Sequence, residues 1–204
     1  MTRSTALLLA SICLVAAAPG TAQSRPDRAT YITAEEVKAV EKAAPSGDRN
    51  IRVVDIGNEN FAVGIVHRGP AANGASTDGH IFTPPKGKAC GRAVTGAPAG
   101  GLAGGITHNS QTEGYYITSG DGTMFTDGYI ANGTELDMKD LNGPTCFGVA
   151  YGTTIKAVKA GDIIIIPAGV VHGWLTIPDH VDYLSFRPSQ GILSAGWINP
   201  AIAK

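Results

Sequence analysis

Apolar and polar positions alternate in short runs along most of this chain, and only one stretch repeats at the helical period. Thr33 precedes Ala34-Glu35-Glu36 at capping-box spacing, and Val37, Val40 and Ala43 share a face before Pro45-Ser46-Gly47. This predicts a short N-terminal helix. Ile51–Ile56 and Phe61–His67 follow as strands, joined through Gly57-Asn58-Glu59-Asn60 as a hairpin. Residues 68–105 are rich in Gly, Ala and Pro and read as surface loop, with one strand at His80-Ile81-Phe82-Thr83. Beyond them, Glu113–Thr118 reads as a strand ended by a turn at Ser119-Gly120-Asp121-Gly122, and Thr123–Thr126 as the next strand. Gly152–Val158, the β-branched run Ile163–Ile166, Val170–Leu175 and Val181–Phe186 complete the set, with the isoleucine run read as a buried strand. Short strands at this spacing, almost without helices, predict an all-β sandwich or barrel.

Composition sharpens this picture. Gly and Pro account for 27 and 12 of the 204 residues without a collagen-like period, as tight turns between strands require. The formal charge of −1 argues against binding along phosphate backbones, where clustered positive charge supplies the affinity. Arg3, the apolar run Ala6–Ala18 and Pro19-Gly20-Thr21-Ala22 read as an export signal cleaved near Ala22. The run is too short to span a bilayer. Cys13 follows Ile12 rather than a small residue, which argues against a lipid anchor. The predicted organisation is therefore a signal peptide at 1–22, an N-terminal segment with the helix at 23–50, a barrel domain at 51–190 and a tail at 191–204. The mature protein would be exported, periplasmic or secreted, with no membrane anchor. Removal of the signal leaves Cys90 and Cys146. In an oxidising compartment they read either as a bridge or as two unrelated buried thiols.

Two stretches carry candidate chemistry. His108 to Gly120 has the form H-x4-E-x6-G through Glu113, and Gly161 to His172 has the form G-x5-P-x-G-x2-H through Pro167 and Gly169. These resemble the two motifs of the cupin superfamily, and the resemblance covers roughly residues 52–188. It implies a small cupin-type jelly-roll β-barrel with a metal inside, for which His108, Glu113 and His172 match three of the usual ligands. Two imidazoles and one carboxylate suit Fe(II), Mn, Ni, Zn or Cu and leave positions open for substrate or oxygen. The chain departs from the pattern at Ile106, where the family's first motif normally carries a further His. Three groups then hold the metal, another residue substitutes, or no metal binds.

Alternation places Tyr115 on the Glu113 face and Trp174 on the His172 face. Tyr115 is the candidate catalytic and substrate-binding hydroxyl, and Trp174 the candidate pocket wall. His67 is a possible substitute ligand, whereas His80 and His180 sit among turn residues and read as solvated. Arg187, at alternate spacing after Tyr183 and Ser185, reads as a surface guanidinium or as a carboxylate anchor at the barrel mouth. The resemblance implies a metal-dependent enzyme acting on a small molecule, with oxidative cleavage or hydroxylation favoured. A non-catalytic small-molecule-binding barrel is the rival reading. The cupin resemblance is also compatible with a homodimer. No P-loop, nucleophile elbow, dinucleotide fingerprint or CxxC motif is present.

Overall fold

Thr33 caps the helix as its spacing predicts: its hydroxyl accepts from Glu36 N, and the Glu36 carboxylate accepts from Thr33 N. This helix, α1, spans Ala34–Ala43. The computed structural model describes residues 26–72, 75–76, 87–96, 98–139, 141–189 and 192–203. The export signal with Cys13, and the strand predicted at His80–Thr83, lie outside the described residues. Thirteen strands follow α1 among them. They are β1 (Gly47–Asp55), β2 (Asn60–Arg68), β3 (Ala71–Ala72), β4 (Ala75–Ser76), β5 (Lys88–Cys90), β6 (Leu102–His108) and β7 (Glu113–Thr126). The chain continues through β8 (Tyr129–Met138), β9 (Gly143–Tyr151), β10 (Thr154–Lys159), β11 (Ile163–Ile166), β12 (His172–Ile177) and β13 (Val181–Ser189). No helix among the described residues is long and apolar enough to cross a membrane.

All named strand pairs are antiparallel, and they form two sheets that share β7. The first half of β7 pairs with β11 and with β13, which continues through β2 to β1. Its second half pairs with β10 and β12, on the side of β6, β9 and β8. The turn predicted at Ser119–Gly122 is therefore a correction: the chain bends there but does not reverse. Gly120 has φ +70°, and a Cβ on it would lie 2.0 Å from His180 O. A register shift in the β7–β13 pair occurs beside it, and such bulges are how a strand turns a corner between sheets. The result is the cupin-type jelly roll. Its interior holds Val66, Tyr115, Ile117, Met124, Val158, Ile166, Ile177, Val181 and Tyr183, drawn from both sheets.

Other expectations also change. The loop predicted over 68–105 contains β3, β4, β5 and the start of β6, and β8 and β9 were not predicted at all. Register shifts at Leu102/Gly105 and Ala131/Thr134 break the two-residue period by which strands are read. The isoleucine run is an edge strand rather than a buried one, because β11 pairs only with β7. Ile163 and Ile165 are more than 70% exposed, while Ile166 is buried. Helix α1 covers its own barrel: Val37 and Val40 pack on Ile51, Ile65 and Leu184. Cys90 and Cys146 form a disulfide that ties β5 to the middle of β9, across a sequence separation of 56.

Candidate metal centre

The three motif residues come from strand ends that the fold gathers at one place. His108 closes β6, Glu113 opens β7 and His172 opens β12. The reversal through Pro167-Ala168-Gly169 sets His172 at the strand start, and Gly169 N donates to His108 O at 2.8 Å, joining the two motifs directly. Glu113 is 1% exposed and each His 4%. Glu113 Oε2 lies 3.4 Å from His108 Nε2 and 3.3 Å from His172 Nε2. One ligand atom from each residue falls within 4.8 Å of the others, the only such group of three or more His, Cys, Asp or Glu among the described residues. A divalent ion bonded at about 2.0–2.2 Å holds neighbouring ligand atoms roughly 3.0–3.5 Å apart, so the spacing fits.

The hydrogen bonds of the rings decide what faces Glu113. His172 Nδ1 is 3.1 Å from Val170 O, and a carbonyl only accepts, so Nδ1 carries the proton. His108 Nδ1 is 3.0 Å from Thr145 Oγ1. The single hydroxyl proton of Thr145 goes to Gly143 O at 3.0 Å, so Thr145 also accepts, and His108 Nδ1 is protonated too. In the neutral form of each ring Nε2 then presents a lone pair on the side of the carboxylate, and that of His108 also lies 2.8 Å from Asn142 Nδ2. Burial holds the His108 imidazole below its ordinary pKa, in favour of that neutral form. Three electron-pair donors thus converge in a dry site, which is the arrangement a cation needs.

Glu113 is kept ionised by its other neighbours. Arg187, wholly buried, donates from Nε to Oε1 at 2.7 Å and also reaches Asp48 and, at 2.9 Å, Asn50 Oδ1. Burial alone would raise the Glu113 carboxyl, but the Arg187 guanidinium charge and the contacts to His108 and His172 together override it and hold the group well below the usual range. Burial likewise works against the Arg187 charge, and the carboxylates of Asp48 and Glu113 override it, raising the pKa. The surface reading of Arg187 is therefore corrected. Strand β13 runs to Ser189 with unbroken alternation, so Arg187 lies on the same inward face as Val181, Tyr183 and Ser185.

Tyr115 donates its hydroxyl to Glu113 Oε2. Burial, and then the Glu113 charge, push the phenol far above its ordinary pKa, so it stays protonated. Trp174 is half-buried in the interior against Tyr183, with ring centroids 6.0 Å apart. His67 does not join the centre; its Nδ1 pairs with Asp182 Oδ1 at 2.6 Å, and the side chain is 38% exposed. His180 is also part-exposed, held by Asp179, while His80 lies outside the described residues. Three polar residues of the centre carried no motif signal: Asn142, Thr145 and Gln111, each buried. For Asn142 the nearest clue is the Asn142-Gly143 dipeptide, a turn signal at the start of β9. Two open clefts, of about 640 and 430 Å³, have none of the three ligand candidates in their lining.

No known family profile matches the chain, and no curated protein matches it. Solved structures do. One is a double-stranded β-helix protein from Klebsiella pneumoniae, with 19% identity over 76% of this chain and 89% of that one, TM-score 0.37. A cupin protein from Bacteroides fragilis has 14% identity over 71% and 78%, TM-score 0.33. A protein from Bacillus halodurans has 11% identity over 85% and 91%, TM-score 0.43. These likenesses are to the fold only. The barrel itself is established by the strand pairing of this chain.

Proposed function

Starting from a cupin-type barrel that gathers two imidazoles and a carboxylate, we propose that this chain is an exported, metal-dependent enzyme acting on a small organic molecule. One observation carries the reading: His108 Nε2 and His172 Nε2 both turn lone pairs toward Glu113 Oε2, at 3.4 and 3.3 Å. A bound divalent ion would supply Lewis acidity and open positions for substrate or oxygen, which favours dioxygenase-like chemistry. The residues of the chain have separate tasks. Thr145 and the Val170 carbonyl fix the two rings, and Arg187 keeps Glu113 anionic. Tyr115 keeps its hydroxyl proton and donates it to Glu113 Oε2, and Trp174 forms part of the wall. The Cys90–Cys146 disulfide supports a periplasmic or secreted location. The partners proposed are a small molecule and, as a homodimer, a second copy, with neither nucleic acid nor a membrane anchor.

A second reading, a barrel that binds a small ligand without catalysis, is favoured by Ile106 at the position of the missing His. Metal analysis of the full chain, purified without chelators and reloaded with Fe(II), Mn(II), Ni(II), Zn(II) or Cu(II), separates the two. One tightly held ion per chain, with oxygen uptake on a panel of small acids and phenols, is the expected result. A chain that takes up no ion yet binds a small ligand overturns the enzyme reading. Cell fractionation checks export.

A further inference from the structure

The centre has a fourth polar group of which no motif gave notice. Asn142 sits in the turn before β9, where Leu141 N and Asn142 N both donate to Met138 O at 3.1 Å. Gln111 Nε2 donates to Leu141 O at 3.3 Å. Gly143 follows with φ +64°, and a Cβ there would lie 2.5 Å from Ile192 Cγ2. The turn is thus held from three sides. Asn142 is 2% exposed. Its Nδ2 lies 2.8 Å from His108 Nε2 and 3.1 Å from Glu113 Oε1, while Oδ1 is buried without a hydrogen-bond partner.

That arrangement is incomplete on its own terms. The lone pair of His108 Nε2 can accept from the Asn142 amide or bind a metal, and it cannot do both. An ion at the centre therefore displaces the amide N–H. A half-turn about Cβ–Cγ, a broad and roughly two-fold torsion, exchanges Nδ2 for Oδ1. It brings the unpartnered oxygen to the side of the centre and leaves Arg187 to hold Glu113 Oε1. We propose that Asn142 is a metal ligand through Oδ1, supplying in place of the missing first-motif His an oxygen donor from a different part of the chain. The inference rests on the metal reading above. It makes the set two imidazole nitrogens and two oxygens, harder than the family's usual one and better suited to Mn(II) or Fe(II) than to Cu.

The test uses Mn(II) as probe, with the full chain stripped by chelator and free ion followed by electron paramagnetic resonance. Loss of a ligand should weaken Mn(II) binding by at least the roughly 10–100-fold typical of removing a mere supporting contact. Asn142→Ala should show that loss, and Asn142→Asp, which keeps an oxygen donor, should bind at least as tightly as wild type. Should Asn142→Ala fail to fold, the wild-type protein grown on asparagine labelled with ¹³C at Cγ still decides the matter. A resolved ¹³C hyperfine coupling to bound Mn(II) is expected. Binding by Asn142→Ala as tight as wild type or tighter, or bound Mn(II) without that coupling, overturns the role of Asn142 and leaves the metal reading intact. Wild type that takes up neither Mn(II) nor any other divalent ion overturns both.

Discussion

His67, Asp182 and His180 form a second group of two imidazoles and one carboxylate, near the Gly120 corner and far from the first in character. In this outer group, His67 Nδ1–H donates to Asp182 Oδ1 at 2.6 Å, and Ser119 Oγ donates to Oδ2 at 2.6 Å. His180 Nε2 is 3.8 Å from Asp182 Oδ2, and its Nδ1 turns to Asp179 Oδ2 at 2.6 Å. The two rings stack with centroids 6.2 Å apart, and the three side chains are 31–38% exposed. In the inner group both Nδ1 protons point outward, to Thr145 and Val170, so in the neutral rings the inward nitrogens carry lone pairs. The outer carboxylate takes a ring proton from His67, whereas the inner one takes its protons from Arg187, Asn142 and Tyr115 and faces the two rings at Oε2. Residue type does not distinguish the two groups. The distinction lies in which ring nitrogen is protonated, and burial makes it matter.

The largest effect expected from this contrast is on metal content. His108→Ala or His172→Ala should lower metal affinity by more than the roughly 100-fold that outer contacts command. His67→Ala and His180→Ala should leave it unchanged, as read by metal analysis after dialysis. An outer variant that loses the ion would erase the contrast. Next comes Arg187→Met, which strands Glu113 as a buried anion. Breaking a buried pair by removing one partner costs about 3–5 kcal/mol, measurable by urea unfolding. The equivalent loss at the outer site, from truncating a part-exposed residue, should stay below about 1 kcal/mol. Smaller again is Thr145→Val, which removes the acceptor for His108 Nδ1–H and frees the ring to change tautomer. Metal affinity should fall about 10–100-fold with the fold retained, as a supporting contact predicts. Unchanged affinity would mean that Thr145 does not set the tautomer.

How far the sequence discloses the two groups follows from the same contrast. Motif spacing brings His108, Glu113 and His172 together because Pro167 and Gly169 force one reversal and the jelly roll does the rest. Alternation places Tyr115 beside Glu113 and Trp174 on the His172 face. Arg187 was visible at the right spacing from Tyr183, yet a charged side chain reads as solvated until a buried carboxylate is known to face it. Asn142 and Thr145 had no such signal, since they enter from a turn and strand whose register is broken by bulges. The corner at Gly120 looked like a reversal for a related reason. Local chemistry there marks a bend, and only the partner strands decide whether the chain doubles back or changes sheet. Ile163 and Ile165 read as core because β-branched runs usually are; an edge position leaves their outer face bare.

The mildest test concerns pH. The hydrogen bond to Asp179, helped by the charge of Asp182 and opposed by burial, raises the His180 imidazole above its ordinary value of 6.5. A raised folded-state pKa means that protonated His180 stabilises the fold fully below about 6.5, and that this contribution fades as pH rises through the folded value. Asp182 has the opposite sign. Its burial is more than offset by Ser119 and His67, which lower it below 3.8, so its contribution holds above that value and fades in acid. Between these limits the outer group is at full strength. Wild type should therefore lose stability between pH 6 and pH 8.5 that His180→Gln, lower at pH 6, does not lose. Both groups are solvent-screened, which keeps the difference below about 1 kcal/mol. Urea midpoints of the two proteins at each pH decide it. Parallel pH profiles would show that His180 is not bound as a cation, and the outer carboxylate would then lack the positive partner that Arg187 gives the inner one.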